Sequence, residues 1–168
     1  RPDHRVIGDA LYDQDRRLPQ IAVGVQYKQA EHGDLIAALG GEDDSGVDFY
    51  VSATKILLGQ SLVLNATARS TSANQFGLLG FGGDRGDSRE LNAEVSAAVL
   101  LRDDVAVGLE WRDKPDTLSV FREQAASDVF IAWFPSRHLS ATLAWLDLGN
   151  IANKRGQRGA YLSLQAGF

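Results

Sequence analysis

Eight polar side chains stand at alternate positions of stretches that are otherwise largely apolar: Lys28, Asp48, Arg69, Asn92, Glu94, Glu110, Arg112 and Gln165. Gathered on one wall of an enclosed, water-filled space, such charges select ions or small solutes. The same groups can instead pair with one another and fill a narrow interior, as side chains do in barrels of about eight strands. Other chemistry is poorly served. The three histidines, His4, His32 and His138, lie in separate segments, and no GxSxG elbow occurs, so no serine–histidine–acid set assembles and no catalytic residue is assigned. Glu42-Asp43-Asp44, with Glu31, His32 and Asp34 nearby, could hold calcium, but the spacing is not that of an EF-hand and a solvated acidic loop is the simpler reading. Arg85-Gly86-Asp87-Ser88 spells an adhesion triplet that recurs by chance. No metal site and no cofactor are expected.

The stretch from Asn74 to Asp84 is apolar and glycine-rich for a connection. Phe76, Leu78, Leu79 and Phe81 within it could fold inward as a constriction or plug, meet a partner, or pack on themselves. It lacks GxGxxG spacing and a following Gly-Lys, so it is no phosphate cradle.

Composition narrows the classes. The 168 residues suit one domain, with no linker-like segment dividing them. A charged fraction of 23% against 44% apolar residues excludes a disordered chain. The net charge of -5 argues against nucleic acid, since nothing would neutralise a run of phosphates. With no cysteine, disulfides and thiolate chemistry are excluded. No apolar run approaches the length of a membrane-spanning helix. The mean hydropathy of -0.17 is what alternating strands average to in any setting, a membrane barrel included. The chain has no methionine and begins Arg1-Pro2-Asp3, so a segment upstream is expected.

The elements that must position the polar wall read as strands, because the period is two almost throughout. Val105, Val107, Leu109 and Trp111 oppose Ala106, Gly108, Glu110 and Arg112. Leu91, Ala93, Val95, Ala97 and Val99 oppose Asn92, Glu94, Ser96 and Ala98. The same alternation runs through Pro19–Gln29, Ser61–Thr71, His138–Leu146 and Gly159–Phe168, and less cleanly through Val47–Leu57 and Ser127–Phe134. Arg5–Tyr12 is a candidate ninth strand. About ten residues at about 3.3 Å each, tilted near 40°, span about 25 Å, the apolar band of an outer-membrane barrel. Tyr27, Trp111, Trp133, Trp145 and Phe168 fall near predicted strand ends, where a barrel carries its aromatic girdles; in a soluble protein they would be core aromatics. Short connections at Leu58-Gly59-Gln60, Arg102-Asp103 and Pro135-Ser136-Arg137 alternate with long ones at 30–46, 72–89, 114–126 and 147–157. A meander puts all the short ones at one end, the periplasmic side of an outer-membrane barrel. One or two helical turns are expected over 33–40 and 117–125.

The last strand, ending in Phe168 with apolar residues at every second position before it, resembles the C-terminal signal by which the outer-membrane assembly machinery recognises its clients. Over nearly its whole length the chain resembles a Gram-negative family of outer-membrane proteins of no assigned function. The matching segments are Gly8–Asp13, Leu18–Gly24, Asp48–Val51, Asn74–Gly83, Lys114–Asp116 and Tyr161–Phe168. That resemblance implies an outer-membrane location and a barrel whose first strands precede this chain; it supplies no catalytic residues. Nine strands point the same way, since bacterial single-chain barrels use an even number.

The expectation is therefore a single domain over 1–168, an all-β antiparallel up-and-down transmembrane β-barrel of about eight or nine strands in this chain. Its apolar side chains would face outer-membrane lipid and its polar ones the lumen. Three functions compete: a passive pore or channel for small hydrophilic solutes or ions, a plugged structural barrel with an envelope protein partner, and a soluble barrel binding a small apolar ligand.

Overall fold

Alternating residues build eight antiparallel strands: β1 (Gln20–Gln29), β2 (Ser45–Leu57), β3 (Leu62–Thr71), β4 (Glu90–Arg102), β5 (Val105–Arg112), β6 (Ala126–Ser136), β7 (Leu139–Ile151) and β8 (Lys154–Ala166). The computed structural model describes residues 17–31, 33–85, 89–119, 122–151 and 154–167. The strands follow chain order in one up-and-down sheet, each hydrogen-bonded to the next. The candidate strand Arg5–Tyr12 and Phe168 lie outside the described residues.

Short turns at Leu58–Gln60, Asp103-Asp104 and Arg137-His138 gather at one end, where β8 also finishes. They tie sideways: Leu100 N–H donates to the Ser61 carbonyl, Phe134 N–H to Asp104 and Gly167 N–H to His138, each at 2.8 Å. At the other end the connections are long and fold over the sheet. The first carries the helix α1 (Gly33–Ala38). Two expectations fail here. The segment 147–157 is not a long loop, because β7 and β8 run on as a hairpin; bulges around Gly149 (φ 65°) and an Arg158–Asp147 pair at 2.8 Å keep the extension ordered. The segment 117–125 forms no helix among its described residues; the Thr117 hydroxyl is bonded to Asn74 of the β3–β4 loop and the Glu123 N–H to the Asp116 side chain instead.

The sheet is curled but open. Gln26 and Lys28 of β1 line the same cavity as Arg112 of β5. In a flat sheet β1 and β5 would stand about 19 Å apart. Yet β1 and β8 are not paired with each other, so the expected closed barrel is corrected to an open sheet. Among the described residues β8 pairs with β7 alone, and Tyr161 and Gln165 on its inner side are exposed.

Close packing on the concave side depends on absent side chains. A Cβ at Gly24 would stand 2.3 Å from the Tyr50 ring, its neighbour across β1 and β2, and one at Gly108 would stand 2.4 Å from the Phe130 ring. Ala106, Ala132 and Ala144 are buried beside these rings. The other core sits in the loops, where Ile36, Ala73, Phe81 and Leu118 are buried.

Candidate functional site: a charged cavity beneath the loops

The two faces of the sheet differ in the unusual sense. The convex face is apolar and uncovered: Val95, Leu109 and Leu143 are 43%, 54% and 52% exposed. Pairing register aligns these residues sideways as well as along each strand. Leu62, Val99, Val107, Ile131, Leu143 and Leu162 form one row across six strands. Toward the long loops the row Ser127, Asp147, Arg158 is polar, so the apolar band has an edge. Trp111 shares that row and Trp145 lies just beneath it. Tyr27 sits near the same end of β1, while Trp133 is near the short turns, its Nε1 donating to Asp104 at 3.2 Å. All four lie on the convex face and are exposed.

The concave face carries the charges, and consecutive strands supply alternating signs. Lys28 of β1 pairs with the fully buried Asp48 of β2 at 2.7 Å. Arg69 of β3 lies 3.6 Å from Asp48 and donates through Nε to Glu94 of β4 at 2.5 Å, and through a terminal nitrogen to Gln26 at 3.2 Å. Its guanidinium stands over the Tyr50 ring, 5.1 Å from the centroid. Arg112 of β5 pairs with Glu110 on its own strand. Opposite Glu110 across the ladder is Asp128 of β6. Alternation at period two puts each residue on this face; diagonal neighbours on adjacent strands bring opposite charges within reach. In water such pairs contribute little, but a half-buried network with one fully buried carboxylate is far more sensitive to loss of a partner.

Between these charges and the loops lies a cavity of about 260 Å³. Its walls include Gln26, Lys28, Arg69, Asn92, Glu94 and Arg112, and Phe76 of the β3–β4 loop forms part of its roof. Asn92 is buried, and its side-chain oxygen accepts no hydrogen bond from the protein. Of the residues predicted to line an interior, the structure brings seven to this concave wall: Lys28, Asp48, Arg69, Asn92, Glu94, Glu110 and Arg112. Gln165 is on β8, away from the cavity and exposed. The predicted constriction residues divide. Phe76 meets the cavity, Leu78 is exposed, Leu79 is half-buried, and Phe81 is buried against Gly46 between bridges to Asp43 and Ala73.

What holds the roof escaped the sequence reading. Gln75 is buried; its amide nitrogen donates to the Glu123 carboxylate and to the Asn150 carbonyl at 2.7 Å. Lys114, fully buried, donates to Gln75 Oε1 at 3.3 Å and to the Leu148 carbonyl at 2.8 Å, and lies 3.4 Å from Glu123. Asn74 donates to the Gly82 carbonyl at 2.7 Å and accepts from the Thr117 hydroxyl. Burial pushes the Glu123 carboxyl up, with Lys114 and Gln75 opposing the rise. Hydrogen bonds from the Ser119 hydroxyl and backbone N–H hold the Asp84 carboxyl below the usual range. These residues come from separate loops, so no periodicity could have joined them. Asp128, on the polar side of an alternating strand, was within reach of the same argument that found Glu110.

The arrangement can hold a small polar solute or pass one between charged walls; among the described residues no cluster of histidine and acidic side chains suits a metal ion. No curated protein and no solved structure matches the chain. Residues 3–165 match one family model, described as "Protein of unknown function (DUF3034)", and the chain therefore belongs to that family.

Proposed function

We propose that this chain is an outer-membrane β-barrel protein whose concave wall lines a passive pore for small hydrophilic solutes or ions. The observation that carries the reading is the inverted distribution of side chains: a continuous apolar convex face uncovered, and a belt of mostly half-buried charges on the concave face. In water, burying polar groups while exposing apolar ones would forgo the main driving force of folding. In lipid it is the required arrangement. From Leu91 to Leu101, β4 presents an apolar residue outward at every second position. That is about 33 Å of strand, or about 25 Å of membrane depth at a barrel tilt. A bilayer also offers no water to the free edges of β1 and β8, so in lipid each of these edges requires a strand partner that the open sheet does not supply.

The test is reconstitution. The purified chain should need detergent to stay monodisperse and should produce discrete current steps in a planar bilayer. Three cations on the concave wall, Lys28, Arg69 and Arg112, face four carboxylates, Asp48, Glu94, Glu110 and Asp128, so a mild cation preference is expected. A chain monodisperse without detergent would instead support the soluble ligand-binding reading. A second membrane reading, a plugged barrel with a structural role, draws support from the mutual pairing of the charges and from the buried Lys114–Gln75–Glu123 cluster in the roof. It predicts stable insertion with no current.

A further inference from the structure

The β3–β4 loop covers the cavity in a conformation that its own backbone does not favour. Gln75 and Phe76 have φ of 47° and 61°, the left-handed region that residues with a Cβ avoid. The bonds of the Gln75 side chain to Glu123 and Asn150, and from Lys114, hold these two residues there and set Phe76 over the cavity. Seating of the roof therefore depends on the state of one buried polar cluster.

The two charges in that cluster are unequally served. Lys114 Nζ has the Leu148 carbonyl, Gln75 Oε1 and the Phe76 ring face, 5.6 Å from its centroid, as well as Glu123. It keeps those three if Glu123 becomes neutral. Glu123 is less well placed: its Oε1 is buried and accepts no hydrogen bond. Among the described residues the charged groups that face it are Lys114 at 3.4 Å and Asp116, whose Oδ1 accepts the Glu123 backbone N–H at 3.0 Å. Asp116 is itself paired, at 3.1 Å, with Arg85 of the β3–β4 loop. From β7 come only the neutral Leu148 carbonyl and Asn150. A proton on Glu123 thus removes an under-solvated charge, and leaves the buried Lys114 cation held by two neutral acceptors and the Phe76 ring.

We propose that residues 74–83 of the β3–β4 loop form a gate that seats more firmly over the cavity in acid, with Glu123 as the group that takes up the proton and Phe76 as the side chain that occludes. The gate rests on the conducting reading above; the seating does not. The sign follows from linkage. Burial raises the carboxyl of Glu123 when the loop is seated, and an unseated loop returns it to water and its ordinary value. Seating is weakest at high pH, strengthens as pH falls through the raised value, and levels off below the ordinary one.

The experiment follows hydrogen-exchange protection of the amides of Asn74, Leu79, Phe81 and Gly82, each bonded within the seated loop or to Asp43, in the detergent-solubilised full chain. Expected is protection that rises on acidification by up to about tenfold per pH unit within that window. Glu123→Gln, a permanently neutral isostere, should give high protection at neutral pH and a flat profile. Lys114→Met should move the rise to higher pH, because Lys114 is what opposes the effect of burial. Protection that falls in acid, or a Glu123→Gln loop looser than wild type at neutral pH, would overturn the proposal and make the ion pair itself the latch. Bilayer current, measured on the same samples, should shrink along the same titration. Protection that titrates while no current flows at any pH would leave the acid seating standing and refute the conducting reading instead.

Discussion

Replacing Leu143 by lysine separates a lipid-facing sheet from a water-facing one by more than the error of the measurement. Leu143 is on the convex face of β7, beside Ile131 and Leu162 in the pairing register and 52% exposed. It lies four residues beyond the start of the strand, about 13 Å along it and about 10 Å in depth at a barrel tilt. That places it near the middle of a band about 25 Å tall. A lysine there costs about 2–4 kcal/mol in a bilayer. On a water-facing surface the same change stays within about 0.5 kcal/mol, because the leucine has little burial to lose. The larger figure is roughly a 25- to 700-fold change in the folding equilibrium. The assay is denaturant unfolding in lipid vesicles, with Ser127→Lys as control. Ser127 lies outward in the polar row with Asp147, where a lysine should cost about 1 kcal/mol at most. Leu143→Lys with unchanged stability, in a chain that stays dispersed without detergent, would refute the inverted-face argument.

Three further outcomes test the interior. Arg69→Met removes the cation between Asp48 and Glu94; we expect a loss of about 1–3 kcal/mol, since the network is only partly buried, and a stronger cation preference in single-channel selectivity. Gly24→Val forces the Tyr50 ring out of its place and should cost about 1–3 kcal/mol by thermal unfolding, with much of the loss recovered by adding Tyr50→Ala. Asp84, held below the usual carboxylate range by Ser119, stabilises the contact between the β3–β4 and β5–β6 loops above the ordinary carboxylate value and loses it as pH falls through the lowered one. Exchange at the Ser119 amide should therefore quicken only in strong acid, and Ser119→Ala should reduce the effect.

Much of the sheet was legible because alternation does not depend on which side water lies. Leu91 through Val99 point one way and Asn92 through Ala98 the other in any sheet with unlike faces, so strand positions, order and the shared end of the short turns follow from the residues. Closure was not legible. It depends on how far curvature accumulates across eight strands, and no period reports it. The hairpin at 147–157 was hidden because Gly149 reads as a loop residue, whereas here it is a bulge inside a pair of strands. The roof was hidden for a different reason. Gln75, Lys114 and Glu123 are polar residues of connections between strands, and Lys114 and Glu123 stand 39 and 48 positions beyond Gln75; the possible inward fold of 74–84 was read from its apolar residues, and nothing in the pattern joined Gln75 to the other two.

That last failure bears on where function is sought in this family. The charged belt follows from alternation alone, so a belt of some kind would arise in any sheet of this pattern, conducting or filled. Desolvating Lys114 and Glu123 in the loops is costly, and nothing in the sheet requires it. The strained pair Gln75 and Phe76 is likewise unnecessary to strand pairing. Features that oppose stability and serve no fold are the better guide to a site. They converge at the mouth of the cavity rather than along its wall. Exchanging the β3–β4 loop from Asn74 to Gly83 for a short glycine-rich turn should therefore leave strand formation intact, by heat-resistant folding in detergent, while raising the bilayer current several-fold. Unfolding of the sheet on that exchange would place the loop's role in holding the fold instead.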